Sequence, residues 1–247
     1  MRIDTFQIDA TRRRYEERKT QRERNLQLVK EGRYFAVDTP ERVSKFLTRR
    51  DFSPQQAARL IEEPRGVAAA AEAGGREWDA LERMIGTSDL MGVAFLERGL
   101  QVARTVGRIW VGMAAGQPKG YATGFLVSPR LLMTNFHILG DPAVARASLV
   151  EFDYQLGADG ALRTTSIFAI DPETFHFADR QLDYAVVAVQ PTAMGGGGKL
   201  SDFGFNSLIE DEGKAIAAQW VNIVQHPQGR FKQLALGPHQ SGDCQPA

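Results

Sequence analysis

Residues 124–139 of this chain read Gly-Phe-Leu-Val-Ser-Pro-Arg-Leu-Leu-Met-Thr-Asn-Phe-His-Ile-Leu, and residues 182–189 read Leu-Asp-Tyr-Ala-Val-Val-Ala-Val. Each stretch contains a short β-prone run with a titratable side chain at its end. His137 follows the first run and Asp183 precedes the second. A histidine that follows one apolar strand and an aspartate that begins another can meet across a barrel seam, which would place an imidazole and a carboxylate side by side.

Further short β-prone runs surround these stretches between residues 109 and 189. Turn-forming residues separate them, for example at 128–129 and 157–160, which predicts an antiparallel barrel or sandwich. We expect a six-stranded barrel over 105–190, in which alternation leaves Glu151, Arg163 and Thr165 on the outer face. The residues predicted to pack the barrel are Ile109, Phe125, Val127, Leu132, Val150, Phe152, Ile167, Ala185 and Val187.

The first hundred residues have a mainly helical pattern. Thr39-Pro40-Glu41 and Ser53-Pro54-Gln55 each place a capping side chain before a first-turn proline, and apolar residues follow at three-and-four spacing. Alternating charges at 11–33 predict a solvated helix or a frayed arm. Apolar residues at helical spacing also predict helices around 78–85 and 90–106.

Composition argues against binding to polyanions. The 247 residues are 43% hydrophobic and 24% charged, and 30 Lys and Arg balance 30 Asp and Glu. Residues 1–50 are net positive, but their interspersed glutamates oppose phosphate contact. We therefore expect neither nucleic acid nor a membrane surface as a partner.

The same sequence predicts a cytoplasmic protein. No charged-then-apolar leader follows Met1, and no apolar run approaches the roughly 18 residues of a membrane span. Cys244, as the single cysteine, cannot form an internal disulfide.

The motifs resemble those of the trypsin-like serine peptidases, in particular a bacterial group whose first barrel reads Gly-Thr-Gly-Phe-Leu-Val-Ser, then Leu-Thr-Asn-His-His-Val-Leu, then Leu-Asp-Tyr-Ala-Leu. The resemblance spans about residues 105–236 and implies a chymotrypsin-like antiparallel β-barrel, preceded here by a helical segment. It implies that His137 is the general base of peptide-bond hydrolysis and that Asp183 orients it. Phe136 stands where the group often has a first histidine. A peptide or protein substrate is implied, and no cofactor.

The other histidines are assigned structural roles. His176 lies between two phenylalanines, His226 closes a strand and matches a turn of the family's second barrel, and His239 lies in a polar tail. No Cys/His cluster has the spacing of a metal site. Gly195 to Gly198 lack the lysine and the strand–helix context of a phosphate-binding loop, so they are interpreted as a flexible link.

The serine nucleophile of the family, in Gly-x-Ser-Gly, has no counterpart here. The serines after Asp183 are Ser201, Ser207 and Ser241, and none has this context. Cys244 follows Gly242-Asp243, but Gln245 replaces the expected glycine. Seventeen residues between His226 and Cys244 are also too few for the intervening strands.

We therefore expect a helical N-terminal segment at 1–104, a first barrel at 105–200, a partial second barrel at 201–236 and an unrelated polar tail at 237–247. A truncated or frame-shifted gene would produce this pattern. The predicted function is that of a serine-type endopeptidase whose chain, as given, does not hydrolyse peptides. The alternative is a non-catalytic interaction or adaptor module, in which the helical segment recruits a partner.

Overall fold

The computed structural model describes residues 5–62, 93–217 and 221–236, which divide between two compact units. The barrel unit contains residues 94–208 and 222–235, together with the start of the first helix. The helical unit contains the described residues between 14 and 93, together with 209–217. The chain therefore leaves the barrel unit after Leu208, contributes a segment to the helical unit, and re-enters the barrel unit at Asn222.

Six antiparallel strands form a closed barrel in the order β1-β2-β3-β6-β5-β4. The strands are β1 (Val106–Val111), β2 (Gly120–Leu126), β3 (Leu131–Thr134), β4 (Leu149–Phe152), β5 (Ser166–Asp179) and β6 (Tyr184–Val189). Ile109 of β1 lies opposite Val150 of β4, and this pairing closes the sheet. The predicted mainly β fold with a six-stranded antiparallel barrel is confirmed.

The barrel interior is filled by large apolar side chains from alternate strand positions, including Ile109, Leu132 and Val150. After β6 the chain adds Phe203, whose ring stacks on that of Phe152 at a centroid distance of 4.6 Å. Phe168 meets the ring of Phe152 edge-on. The core therefore depends on residues beyond the last barrel strand.

Two strands differ in register from the prediction. Phe125 and Ile167 are half-buried, whereas their neighbours Leu126 and Phe168 are fully buried. A Cβ atom at Gly124 would lie 2.9 Å from Cδ1 of Ile109, so the glycine gives that isoleucine its space inside the barrel. Where two adjacent residues are both apolar, alternation alone does not indicate which one faces the core.

The segment after β6 also departs from the prediction. The glycines at 195–198 form a closed turn, in which the Ala193 N–H donates to the Gly198 carbonyl at 3.0 Å. Ala193 and Leu200, on either side of the turn, are buried in the barrel core. The barrel unit consequently continues past the boundary predicted near residue 200 because Leu200 and Phe203 fill its interior.

A hairpin of β7 (Ile223–Gln225) and β8 (Gln233–Ala235) follows. It is joined to the barrel by backbone contacts: the His226 N–H donates to Thr123 Oγ1 at 3.0 Å, and the Lys232 N–H donates to the Tyr154 carbonyl at 2.9 Å. Among the described residues of the predicted β-prone stretch at 215–224, Ile223 and Val224 belong to a strand, β7.

A buried ion pair lies between the hairpin and the barrel. Arg108 donates to Glu151 Oε2 from Nε at 2.9 Å and from Nη2 at 2.6 Å, and to the Gly229 carbonyl from Nη1 at 2.7 Å. Its guanidinium lies 3.3 Å from the centroid of the Tyr154 ring. Glu151 leaves the barrel interior as predicted, but it is only 3% exposed, since Arg108 and its neighbours cover it.

The first helix, α1 (Thr5–Glu17), begins in the barrel unit and ends in the helical unit. The helical unit also contains α2 (Lys19–Lys30), α3 (Pro40–Thr48) and α4 (Pro54–Glu62). Thr39 caps α3 by accepting from the Arg42 N–H, and Ser53 caps α4 by accepting from the Gln56 N–H. Both predicted proline-initiated helices are confirmed. In the barrel unit, α5 (Ala94–Arg104) lies within the helix predicted at 90–106, while the helix predicted at 78–85 lies outside the described residues.

Candidate active site

His137 lies on a short helix that directly follows β3. The helix, α6 (Phe136–Leu139), begins after Asn135, whose backbone is extended. Ile138 and Leu139 are buried in the barrel core and anchor the helix, whereas the His137 side chain remains 19% exposed. The apolar residues of the motif therefore hold the imidazole at the edge of the barrel.

Asp183 lies in the turn that precedes β6, directly beside His137. Both carboxylate oxygens of Asp183 are 3.0 Å from Nδ1 of His137. The backbone of Asp183 has φ of 55°, a left-handed conformation that aspartate adopts more readily than most residues. The side-by-side placement that the motifs predicted is observed.

Hydrogen bonds from His137 and Asn135 hold the Asp183 carboxylate in place. The His137 N–H donates to Asp183 Oδ1 at 3.2 Å, and Asn135 Nδ2 donates to Asp183 Oδ2 and to the Asp183 carbonyl, each at 3.2 Å. No role was predicted for Asn135 from the sequence. Its position two residues before His137, within the quoted motif, is the signal that could have identified it.

His176 contacts the helix that carries His137. Its Nε2 donates to the carbonyl of Leu139, the last residue of α6, at 2.8 Å. His176 lies on β5 opposite Val187 of β6, so its ring joins the helix to the strand pair behind it. The structural role predicted for His176 is consistent with this contact, and the contact gives that role a location beside the candidate base.

His226 is buried between the hairpin and the barrel. Its Nδ1 donates to the Arg230 carbonyl at 3.0 Å, and Nε2 has no hydrogen-bond partner among the described residues. Burial lowers the pKa of His226 to about 4, so the ring is neutral at physiological pH. The ring of Tyr154 stacks on it at 6.2 Å, and this packing supports the structural role predicted for it.

The candidate nucleophiles either belong to described segments outside the His137–Asp183 site or lie outside the described residues. Ser201 belongs to the 3-10 turn Leu200–Phe203 that packs on the barrel core, and Ser207 is exposed. His239, Ser241 and Cys244 lie outside the described residues.

Within the described residues, no group of three or more His, Cys, Asp or Glu side chains is arranged to hold a metal ion. None of the helices in the same ranges combines the length and the apolar character that crossing a bilayer requires.

A closed six-stranded antiparallel barrel with a histidine–aspartate pair at the β3–β6 seam defines the chymotrypsin-like class. The family model of the trypsin-like peptidase domain matches residues 122–244, and this part of the chain belongs to that family. The match begins in β2 and continues into 237–247, the segment that the sequence analysis set apart as an unrelated tail.

The chain is also similar to the uncharacterized protein y4fB of Sinorhizobium fredii. The two are 40% identical over 181 residues, which is 72% of this chain and 27% of the relative. This chain thus spans about a quarter of the relative's length. The aligned region covers 72% of this chain, which is more than residues 106–247 make up. The similarity therefore also includes part of the segment before the barrel.

Proposed function

We propose that the barrel unit is the first half of a serine-type endopeptidase in which His137 is the general base and Asp183 the orienting carboxylate. The observation that supports this proposal is the contact of both Asp183 carboxylate oxygens with Nδ1 of His137, at 3.0 Å each. The substrate class is a peptide or protein. From the composition, we also propose a cytoplasmic location and neither nucleic acid nor a membrane as a partner.

The mechanism follows from which nitrogen the carboxylate contacts. With its proton on Nδ1 and donated to Asp183, the ring presents Nε2 as a base that removes the proton of a serine hydroxyl as it attacks the peptide carbonyl. Asp183 then stabilises the imidazolium, and Nε2 returns the proton to the leaving amine. Asn135 and the His137 N–H keep the carboxylate in the orientation that this tautomer requires.

Hydrolysis also needs a nucleophile, and the 247-residue sequence contains no Gly-x-Ser-Gly motif. We therefore propose that this chain alone does not hydrolyse peptides and that a second-barrel sequence bearing the serine is required. Loss of a triad serine lowers turnover by roughly 10⁶-fold. The missing motif equally favours a second candidate, a non-catalytic interaction module built on the same barrel.

The base assignment is tested by the tautomer of His137, which needs no turnover. We expect ¹⁵N NMR of the whole chain to show a protonated Nδ1 and an unprotonated Nε2, and Asp183→Ala to lose this preference. His176→Gln serves as the matched control at a neighbouring histidine, since it leaves both groups of the pair intact. A proton on Nε2 in the unsubstituted chain would overturn the assignment.

Inactivity is tested by fluorophosphonate labelling and by turnover of a mixed fluorogenic peptide library. We expect neither. Labelling that disappears in Ser241→Ala, or turnover that disappears in Cys244→Ala, would overturn the inactivity and identify the nucleophile. Any turnover that survives in His137→Ala comes from a contaminating peptidase. A His137 tautomer set by Asp183 supports the enzyme over the interaction module, which has no need of it.

A further inference from the structure

Residues 209–217, here called the strap, pack in the helical unit although they follow the barrel in sequence. Their sequence is Ile-Glu-Asp-Glu-Gly-Lys-Ala-Ile-Ala. They were predicted to belong to the partial second barrel, but Ile216 packs into the apolar cluster of the helical unit instead. The strap follows the first part of the barrel unit, which ends at Leu208, and precedes the hairpin, which begins at Ile223.

Ion pairs join the strap to one face of α3. Asp211 pairs with Arg49, and Glu212 pairs with Lys45. Lys45 and Arg49 are four residues apart and therefore lie on the same side of the helix. The hydrogen bond from Lys45 lowers the pKa of Glu212. All four side chains are exposed, so salt screens these contacts.

Hydrogen bonds fix the path of the strap backbone. Arg42 Nη2 donates to the Ala215 carbonyl at 3.3 Å, and the Ala217 N–H donates to Asp38 Oδ2 at 3.2 Å. Arg42 and Asp38 also pair with each other, at 3.6 Å. The strap is thus held at both its acidic and its apolar end.

Two residues of the strap match the surface of α3 closely. Ile216 is 9% exposed and belongs to the apolar cluster that contains Phe46 and Leu47. Gly213 has φ of 73°, and a Cβ atom there would lie 2.7 Å from the backbone nitrogen of Phe46 and 2.6 Å from Cβ of Lys45. Only glycine fits this close approach, which requires both a positive φ and the absence of a side chain.

We propose that the helical unit is a docking module for the strap, and that its partner is this acidic segment of its own chain, anchored by Ile216. Docking holds the nine residues of the strap, which belong to the connection between the barrel and the hairpin. On release, they become a free part of that connection. The N-terminal helices thereby control whether the segment between Leu208 and Asn222 is held or free.

The proposal is tested by charge reversal and digestion of the full chain with endoproteinase Lys-C, which cuts after Lys214 when the strap is released. Lys45→Glu with Arg49→Glu, or Asp211→Arg with Glu212→Arg, should each speed this cut by about tenfold at low salt. The four changes together should restore the slow rate because the pairs are re-formed with opposite signs. Glu210→Arg is the matched control, since among the described residues Glu210 forms no ion pair.

A second variant tests the close packing of the strap on α3 independently of the ion pairs. Gly213→Ala should speed the cut even in the fourfold charge swap because the methyl group meets α3. A rate unchanged by both single-sided reversals, or a fourfold swap as fast as either reversal, would overturn the proposal. Neither readout involves His137, so His137→Ala should leave the rate unchanged. Failure of docking and failure of the proposed base are therefore distinguished.

Discussion

Two segments from late in the chain attach to earlier structure by contrasting means. The hairpin meets the barrel over the pair of Arg108 and Glu151, which are 7% and 3% exposed. Arg108 also donates to the Gly229 carbonyl, and Glu151 also accepts from Trp110 Nε1. The strap meets α3 through exposed ion pairs and one buried isoleucine. Buried pairs are strong only when complete, whereas exposed pairs are weak and reversible. We infer a permanent attachment for the hairpin and a reversible one for the strap.

The largest effect is expected from breaking the buried pair. Arg108→Met leaves the Glu151 carboxylate buried without its partner and removes a donor from the Gly229 carbonyl, so we expect a loss of about 3–5 kcal/mol in unfolding free energy, measured by urea denaturation. The double variant Arg108→Met with Glu151→Met should recover most of this loss because no unpaired charge remains. Equal losses in the single and double variants would show that the ion pair does not determine the attachment.

A smaller effect, dependent on pH, is expected from His226. Its pKa is about 4 in the folded chain and near 6.5 when exposed, so the unfolded chain binds more protons between these values. Stability should therefore fall as the pH decreases from about 6.5 to 4, by on the order of 3 kcal/mol.

His226→Asn supplies the control for this pH dependence. The asparagine side chain does not titrate, and its amide can replace Nδ1 as the donor to the Arg230 carbonyl. In urea denaturation, the unfolding free energy of this variant should therefore change less over the same pH range. The same slope in both proteins would assign the pH dependence to other groups.

An effect of about 1 kcal/mol is expected at His176, where one hydrogen bond joins the imidazole ring to α6. His176→Phe removes the donor to the Leu139 carbonyl, whereas His176→Gln keeps one. Because α6 carries His137, the Phe variant should also weaken the NMR signal of the Nδ1 proton shared with Asp183. A loss of stability without any change in that signal would limit His176 to a purely structural role.

The smallest effect on global stability is expected from neutralising the strap. Asp211→Asn with Glu212→Gln should shift the urea midpoint less than any variant above, yet speed the Lys-C cut after Lys214 at low salt. At about 1 M salt, where the Debye length is roughly 3 Å, the neutral variant and the parent should be cut at equal rates. The loss in Arg108→Met should persist in the same salt, since buried pairs are screened less. Equal salt sensitivity of the two attachments would refute the contrast between them.

The local features, and the meeting of the two motif residues, could be predicted from the sequence. Thr39 and Ser53 cap helices because a capping side chain contacts the N–H groups of its own first turn, an interaction within four residues. The six strands follow from β-prone runs bounded by turn residues. The meeting of His137 and Asp183 followed from matched motifs at the ends of β3 and β6, which are neighbours in this barrel.

Features that depend on which distant surfaces meet could not be predicted from the sequence. Phe168 rather than Ile167 faces the core because β4 pairs with β5 in one register, and adjacent apolar residues leave that choice open in sequence. Glu151 is buried because Arg108 and a hairpin more than seventy residues later cover it. The strap joins helices because Gly213 and Ile216 match a surface formed by α3, and no local pattern encodes a surface assembled from residues more than 160 positions away.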